Sequence, residues 1–138
     1  MNIAILAHAH KKELMIQFCT AYAGILSRHT LCSTHDTGRD IAESTGLPIH
    51  LFLSRSQGGF EQIGARISYD ELDMVLFFSD PKDPASNETF TYIANLCDQA
   101  CIPFASNLAT AEMLVLGLSR GDLDWRDIVN PKKKPFTV

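Results

Sequence analysis

The run Asp73-Met74-Val75-Leu76-Phe77-Phe78 decides the fold. One aspartate is followed by an unbroken apolar stretch, too short for a buried helix and too apolar for a strand with one face in water. It reads as a strand covered on both faces, the kind that belongs to a parallel sheet. Before it, residues 2–7 form a second compact apolar run, and residues 29–33 and 49–53 form weaker ones. After it, residues 102–105 make a short fifth strand.

Helical patterns fill the intervals. Over residues 11–26, Leu14, Phe18, Ala21 and Ile25 share a face, with Gly24 weakening the last turn. Residues 37–45 read as a helix that stops at Gly46, with Pro48 beyond it. Gly58-Gly59 opens a helix over 60–69. Asp80-Pro81 and Asp83-Pro84 punctuate a loop, because the residue before proline avoids the helical region. Asn87 can cap a helix carrying Phe90, Ile93, Cys97 and Ala100 on one face, and Ser106 or Asn107 can cap a last helix that Gly121 ends. The expected class is therefore α/β: a three-layer, Rossmann-like parallel sheet of about five strands with helices on both faces. One domain over residues 1–128 is expected, with a short turn around Leu123, Trp125 and Ile128 and a tail over 129–138.

Composition fits a single core. The chain has 138 residues, 46% of them apolar and 20% charged, which speaks against disorder. Net charge is −4 and the one basic run is Lys132-Lys133-Lys134, so a nucleic-acid surface is not expected. No apolar stretch reaches the roughly 20 residues of a membrane span, and residues 1–7 lack the basic start of a signal peptide. A cytoplasmic protein is expected. Cys19, Cys32, Cys97 and Cys101 form no C-x-x-C pair and sit in apolar segments, so they read as reduced core residues.

Parallel sheets bind ligands beyond the carboxyl ends of their strands. Here those ends are polar: His8-Ala9-His10 with Lys11 and Lys12, Ser33-Thr34-His35-Asp36-Thr37-Gly38, Ser54-Arg55-Ser56-Gln57-Gly58-Gly59, Ser79-Asp80, and Ser106-Asn107. Helix N-termini converge on the same edge and favour an anion, with Lys12, Thr34, Thr37, Ser54 and Arg55 as candidate phosphate ligands.

At these loops the chain resembles methylglyoxal synthase. The resemblance runs from Asn2 to about Ile128. It is carried by Ile3-Ala4-Ile5-Leu6-Ala7-His8 with Lys11-Lys12, and by Ser54 with Gly58-Gly59 and Gln62-Ile63-Gly64-Ala65. It continues through Asp73 to Asp80-Pro81, through Ile102-Pro103-Phe104-Ala105-Ser106-Asn107 and Ala109-Thr110-Ala111-Glu112-Met113-Leu114, and ends in Arg120-Gly121-Asp122-Leu123-Asp124-Trp125-Arg126. It implies elimination of phosphate from dihydroxyacetone phosphate, no cofactor, and a homohexamer, with Trp125 and Phe136 as candidate contacts.

The departures fall on the positions that carry chemistry. By resemblance, the residue after Gly-Gly is the aspartate that removes the substrate's carbon-bound proton; here it is Phe60, and a phenyl ring accepts no proton. The aspartate after the first histidine is Ala9. A histidine and a further aspartate of the family's PHEPD loop fall near Ser86 and Thr89. Asp36 replaces a threonine of the phosphate loop, where a like charge at about 4 Å and an effective dielectric near 20 repels by roughly 4 kcal/mol. Arg55 replaces a glycine and can offset that charge. The expectation is a divergent paralog that binds a small phosphorylated or anionic metabolite with weak or lost synthase activity. One alternative is an active carbon–oxygen lyase using His8 with Glu61 or Asp80 in place of the missing base. Others are a regulatory oligomer, or a metal-dependent protein in which His8, His10, His35, Asp36 and Asp80 gather round a cation; no metal ligand is assigned.

Overall fold

The computed structural model describes residues 1–131. Five parallel strands, β1 (Asn2–Ala7), β2 (Thr30–Ser33), β3 (Ile49–Leu51), β4 (Met74–Phe78) and β5 (Phe104–Ala105), form one sheet in the order β3-β2-β1-β4-β5. The helices are α1 (Lys12–Ala21), α2 (Ala23–Leu26), α3 (His35–Thr45), α4 (Gly59–Ser68), α5 (Asn87–Gln99), α6 (Leu108–Arg120) and α7 (Trp125–Val129). The α/β expectation holds, and the sheet is covered on both faces. Along β1, Ile3 and Ile5 join a core with Met15, Phe18, Ile41 and Val115. Ala4 and Leu6 join the opposite core with Ile63, Ile67 and Ile93. The strand's twofold alternation makes both faces apolar. β4 does the same, with Met74, Leu76 and Phe78 on one side and Val75 and Phe77 on the other.

Boundaries differ from the sequence reading at several helix ends. The first helix is broken at Tyr22, whose φ of −108° and ψ of 19° end α1 before α2 begins. α3 starts at His35 rather than at residue 37. Asn107 caps α6 by accepting from the Thr110 amide at 3.0 Å, whereas Asn87 lies inside α5 and caps nothing. Gly121 ends α6 in the left-handed region at φ 84°. Residues 125–129, read as a turn, form the short helix α7, and Trp125 is half exposed. Lys132-Lys133-Lys134 and Phe136 lie outside the described residues.

Three cysteines are core residues: burial pushes the thiols of Cys19, Cys32 and Cys97 up to about 12. Cys101 departs from the expectation. It sits just past α5 with φ 55° and is exposed, because the chain must turn there to enter β5. Its carbonyl accepts from Arg126 Nη1 at 3.2 Å.

That arginine closes the amino-end edge of the sheet, opposite the polar loops. Arg126 is 4% exposed and Asp73 is fully buried. Arg126 Nε donates to Asp73 Oδ1 at 3.2 Å, and the Asn2 amide donates to Asp73 Oδ2 at 2.7 Å. The pair ties α7 to the starts of β1 and β4, at the far end from any ligand.

Candidate anion-binding cleft at the strand switch

β2 and β3 continue the sheet to one side of β1, and β4 and β5 to the other. The strand order reverses its winding between the parallel neighbours β1 and β4, and a doubly wound sheet opens a crevice at that point. A cavity of about 150 Å³ lies there. It is lined from β1 by Ala7 and His8, from the end of β4 by Phe77 and Ser79, and from the starts of α1 and α3 by Lys12, Thr34, Asp36 and Thr37. Ala9, Arg55, Phe60, Ser86, Thr89 and Phe90 complete it.

Four of the five candidate phosphate ligands, Lys12, Thr34, Thr37 and Arg55, come together on this cavity. Thr34, the N-cap of α3, and Thr37 in its first turn are buried; the His35 amide is taken by the Leu53 carbonyl at 3.3 Å, which leaves the amides of Asp36 and Thr37 for an anion. Lys12 lies at the start of α1, but its Nζ donates to Asp40 Oδ2 at 2.9 Å, and this hydrogen bond holds the Asp40 carboxyl below its usual range. Asp36 is exposed in the first turn of α3, where the helix dipole stabilises its charge. Arg55 lies in a 3₁₀ turn over Arg55–Gln57 and forms no ion pair among the described residues. It is not locked to Asp36. Ser54 does not line this cavity. Its hydroxyl lies 3.3 Å from that of Ser56, and it faces a shallow neighbouring recess with His50, Gln62 and Arg66.

Phe60, Phe77 and Phe90 give the cavity an aromatic wall. Gly58, at φ 97°, turns the chain into α4, and Gly59 has no room for a Cβ against the Leu53 carbonyl. This clamp fixes Phe60, which is 8% exposed and stacks on Phe77 with centroids 5.5 Å apart and planes 7° from parallel. Glu61, the next residue, is exposed and does not line the cavity, as the turn of roughly 100° between helical neighbours dictates. Ser86 and Thr89 both line it, so hydroxyls stand where the resemblance places an imidazole and a carboxylate. Among the described lining residues Asp36 is the one carboxylate, and it lies in the first turn of α3.

His8 is buried and lines the cavity, with both ring nitrogens engaged. Nδ1 accepts from the His10 amide at 3.0 Å, so Nε2 carries the proton and donates to Asp83 Oδ2 at 2.6 Å. That bond, then the Ala85 amide, draws the Asp83 carboxyl below its usual range. Asp80 does not line the cavity. Its carboxyl is likewise depressed, by the Lys82 amide and by His10, whose Nδ1 lies 3.1 Å away. The possible ligand atoms of His8, His10 and Asp80 lie within 4.8 Å of one another, while His35 and Asp36 stand apart from that group. His8 is already bonded to Asp83 and His10 to Asp80, and no buried polar side-chain atom among the described residues lacks a partner.

Sequence reasoning did not single out Asp40, Asp83 or the aromatic wall of Phe77 and Phe90. Asp83 precedes a proline and so was legible as a turn residue. Its histidine partner is distant in sequence and comes close only when β1 and β4 pair.

No protein-family model matches the chain. It is 53% identical over 133 residues to the methylglyoxal synthase of Caldicellulosiruptor saccharolyticus, covering 96% of this chain and 94% of that one. It is 48% identical over 135 residues to the methylglyoxal synthase of Oceanobacillus iheyensis, covering 97% and 96%. The crystal structure of methylglyoxal synthase from Elizabethkingia anophelis superposes with a TM-score of 0.74 at 31% identity, over 83% of this chain and 76% of that one.

Proposed function

The chain belongs to the methylglyoxal synthase family, and we propose that it keeps the family's anion cleft while having lost most of the family's chemistry. Its ligand on this reading is a small phosphorylated or anionic metabolite, and phosphate elimination from dihydroxyacetone phosphate is weak or absent. The observation that carries this is Phe60: a ring stacked against Phe77 occupies the position from which a carboxylate would take the proton. Neither substitute base supports the lyase alternative, since Glu61 is exposed outside the cavity and Asp80 is engaged by His10 and the Lys82 amide. A general base or acid typically contributes 10²–10⁴-fold, and their losses are not additive.

No helix among the described residues is long and apolar enough to cross a membrane. The exposed apolar side chains Tyr69, Met113, Ile128 and Val129 support the expectation of a homo-oligomer, a hexamer by family.

The test is a titration of the wild-type chain with dihydroxyacetone phosphate, following heat and methylglyoxal in the same sample. Saturable heat is expected, with methylglyoxal formed at least about 100-fold more slowly than by the Caldicellulosiruptor relative. Turnover at the relative's rate would overturn the reading and return attention to Glu61 and Asp80.

A further inference from the structure

Resting on the reading of the cleft as an anion site, we infer that its ligand carries an apolar, ring-sized body in place of the hydroxyl-rich body of a triose phosphate. One wall of the cavity is aromatic. Phe60 and Phe77 lie parallel, Phe90 meets Phe77 edge-on with centroids 5.4 Å apart, and Phe104 backs Phe90 at 5.5 Å. Phe60, Phe77 and Phe90 line the space itself, and Ala7 and Ala9 add methyl groups. A hydroxyl or carbonyl pressed against these rings loses water and gains no partner. A hydrocarbon body gains burial there and finds faces and edges for a further ring.

The charges point the same way. Lys12 is already neutralised by Asp40, and Asp36 stands at the anion end. Arg55 is the lining cation that no acidic partner engages among the described residues. With so little surplus positive charge, head-group attraction alone holds an anion weakly, and the body must supply the rest of the affinity. A cavity of about 150 Å³ takes one ring or a short branched chain beside the anionic head.

Phenyl phosphate and sn-glycerol 3-phosphate carry the same head on opposite bodies, which makes them the probes. Calorimetric titration of the wild-type chain is expected to show phenyl phosphate binding roughly tenfold or more tighter. Phe60→Asp should abolish or invert that preference, and Phe60→Leu, which keeps an apolar floor, should retain it. Arg55→Ala should weaken both probes alike. Equal affinity, or a preference for glycerol phosphate, would overturn the inference and leave the anion cleft standing. Binding of neither probe, with inorganic phosphate also silent, would overturn both. Phenyl phosphate binding untouched by Phe60→Asp and Arg55→Ala would lie elsewhere and would also overturn it.

Discussion

Phe60→Asp is expected to raise methylglyoxal formation from dihydroxyacetone phosphate about 10²-fold over the wild-type chain, at the low end of what one acid–base group supplies. The backbone there already has the geometry a base needs. Gly58 in the left-handed region and Gly59 against the Leu53 carbonyl hold position 60 at the cavity wall, whatever its side chain. The gain stays at the low end because Ser86 and Thr89 still stand where the family places an imidazole and a second carboxylate, and Lys12 remains paired with Asp40. The exchange also removes a ring from the core and leaves a carboxyl beside Phe77, so a loss of roughly 3–5 kcal/mol in stability is expected. Phe60→Ala separates the two effects: it loses the same packing, gains no base, and should gain no turnover. Coupled-enzyme assay of methylglyoxal and thermal melts of all three proteins check this. Equal turnover by the Asp and Ala variants would contradict it.

Arg126→Met is expected to cost about 3–5 kcal/mol of stability, because it strips a fully buried carboxylate of its cation. Asp73 would keep its bond from the Asn2 amide at 2.7 Å but lose the Arg126 Nε bond at 3.2 Å. The same change releases the carbonyls of Cys101 and Leu72, which Arg126 also holds. For a chain of this size the melting temperature should fall by roughly 10–15 °C. Ligand affinity at a temperature where the variant is folded should stay as in the wild type, since α7 sits at the opposite edge of the sheet from the cleft. Chemical denaturation and calorimetric titration measure the two halves of this statement. A melting temperature within about 2 °C of the wild type would show that the pair is not the clasp its geometry suggests.

The fold was legible because its determinants are local. Residues 74–78 are apolar throughout, and the alternation of strand and helix along the chain admits few arrangements other than a covered parallel sheet. Gly121 and Asn107 announced the ends of α6 by their own backbone chemistry. The strand ends also placed Lys12, Thr34, Thr37, Arg55 and Phe60 on one cavity, as the topology requires. Pairs formed between elements far apart in sequence were not legible. Lys12 with Asp40, His8 with Asp83 and Asp73 with Arg126 join residues 28, 75 and 53 positions apart, and no periodicity records such meetings. The sequence also left the direction of Ser54 open. Its hydroxyl turns to Ser56 because the chain tightens into a 3₁₀ turn at Arg55, a local choice that apolar patterning does not encode. Cys101 escaped for a related reason: its neighbours are apolar, but the turn into β5 swings it to the surface.

If this polypeptide has no group able to take a proton from the substrate's carbon, it should not speed the entry of solvent hydrogen at that carbon. The most direct measurement is proton NMR of dihydroxyacetone phosphate incubated with the wild-type chain in deuterium oxide. Deuterium in the substrate, and in any methylglyoxal formed, should not exceed that in a sample without protein. Stereospecific incorporation at the rate of an active relative would mean that a base reaches the carbon after all, and the account of Phe60 would fail.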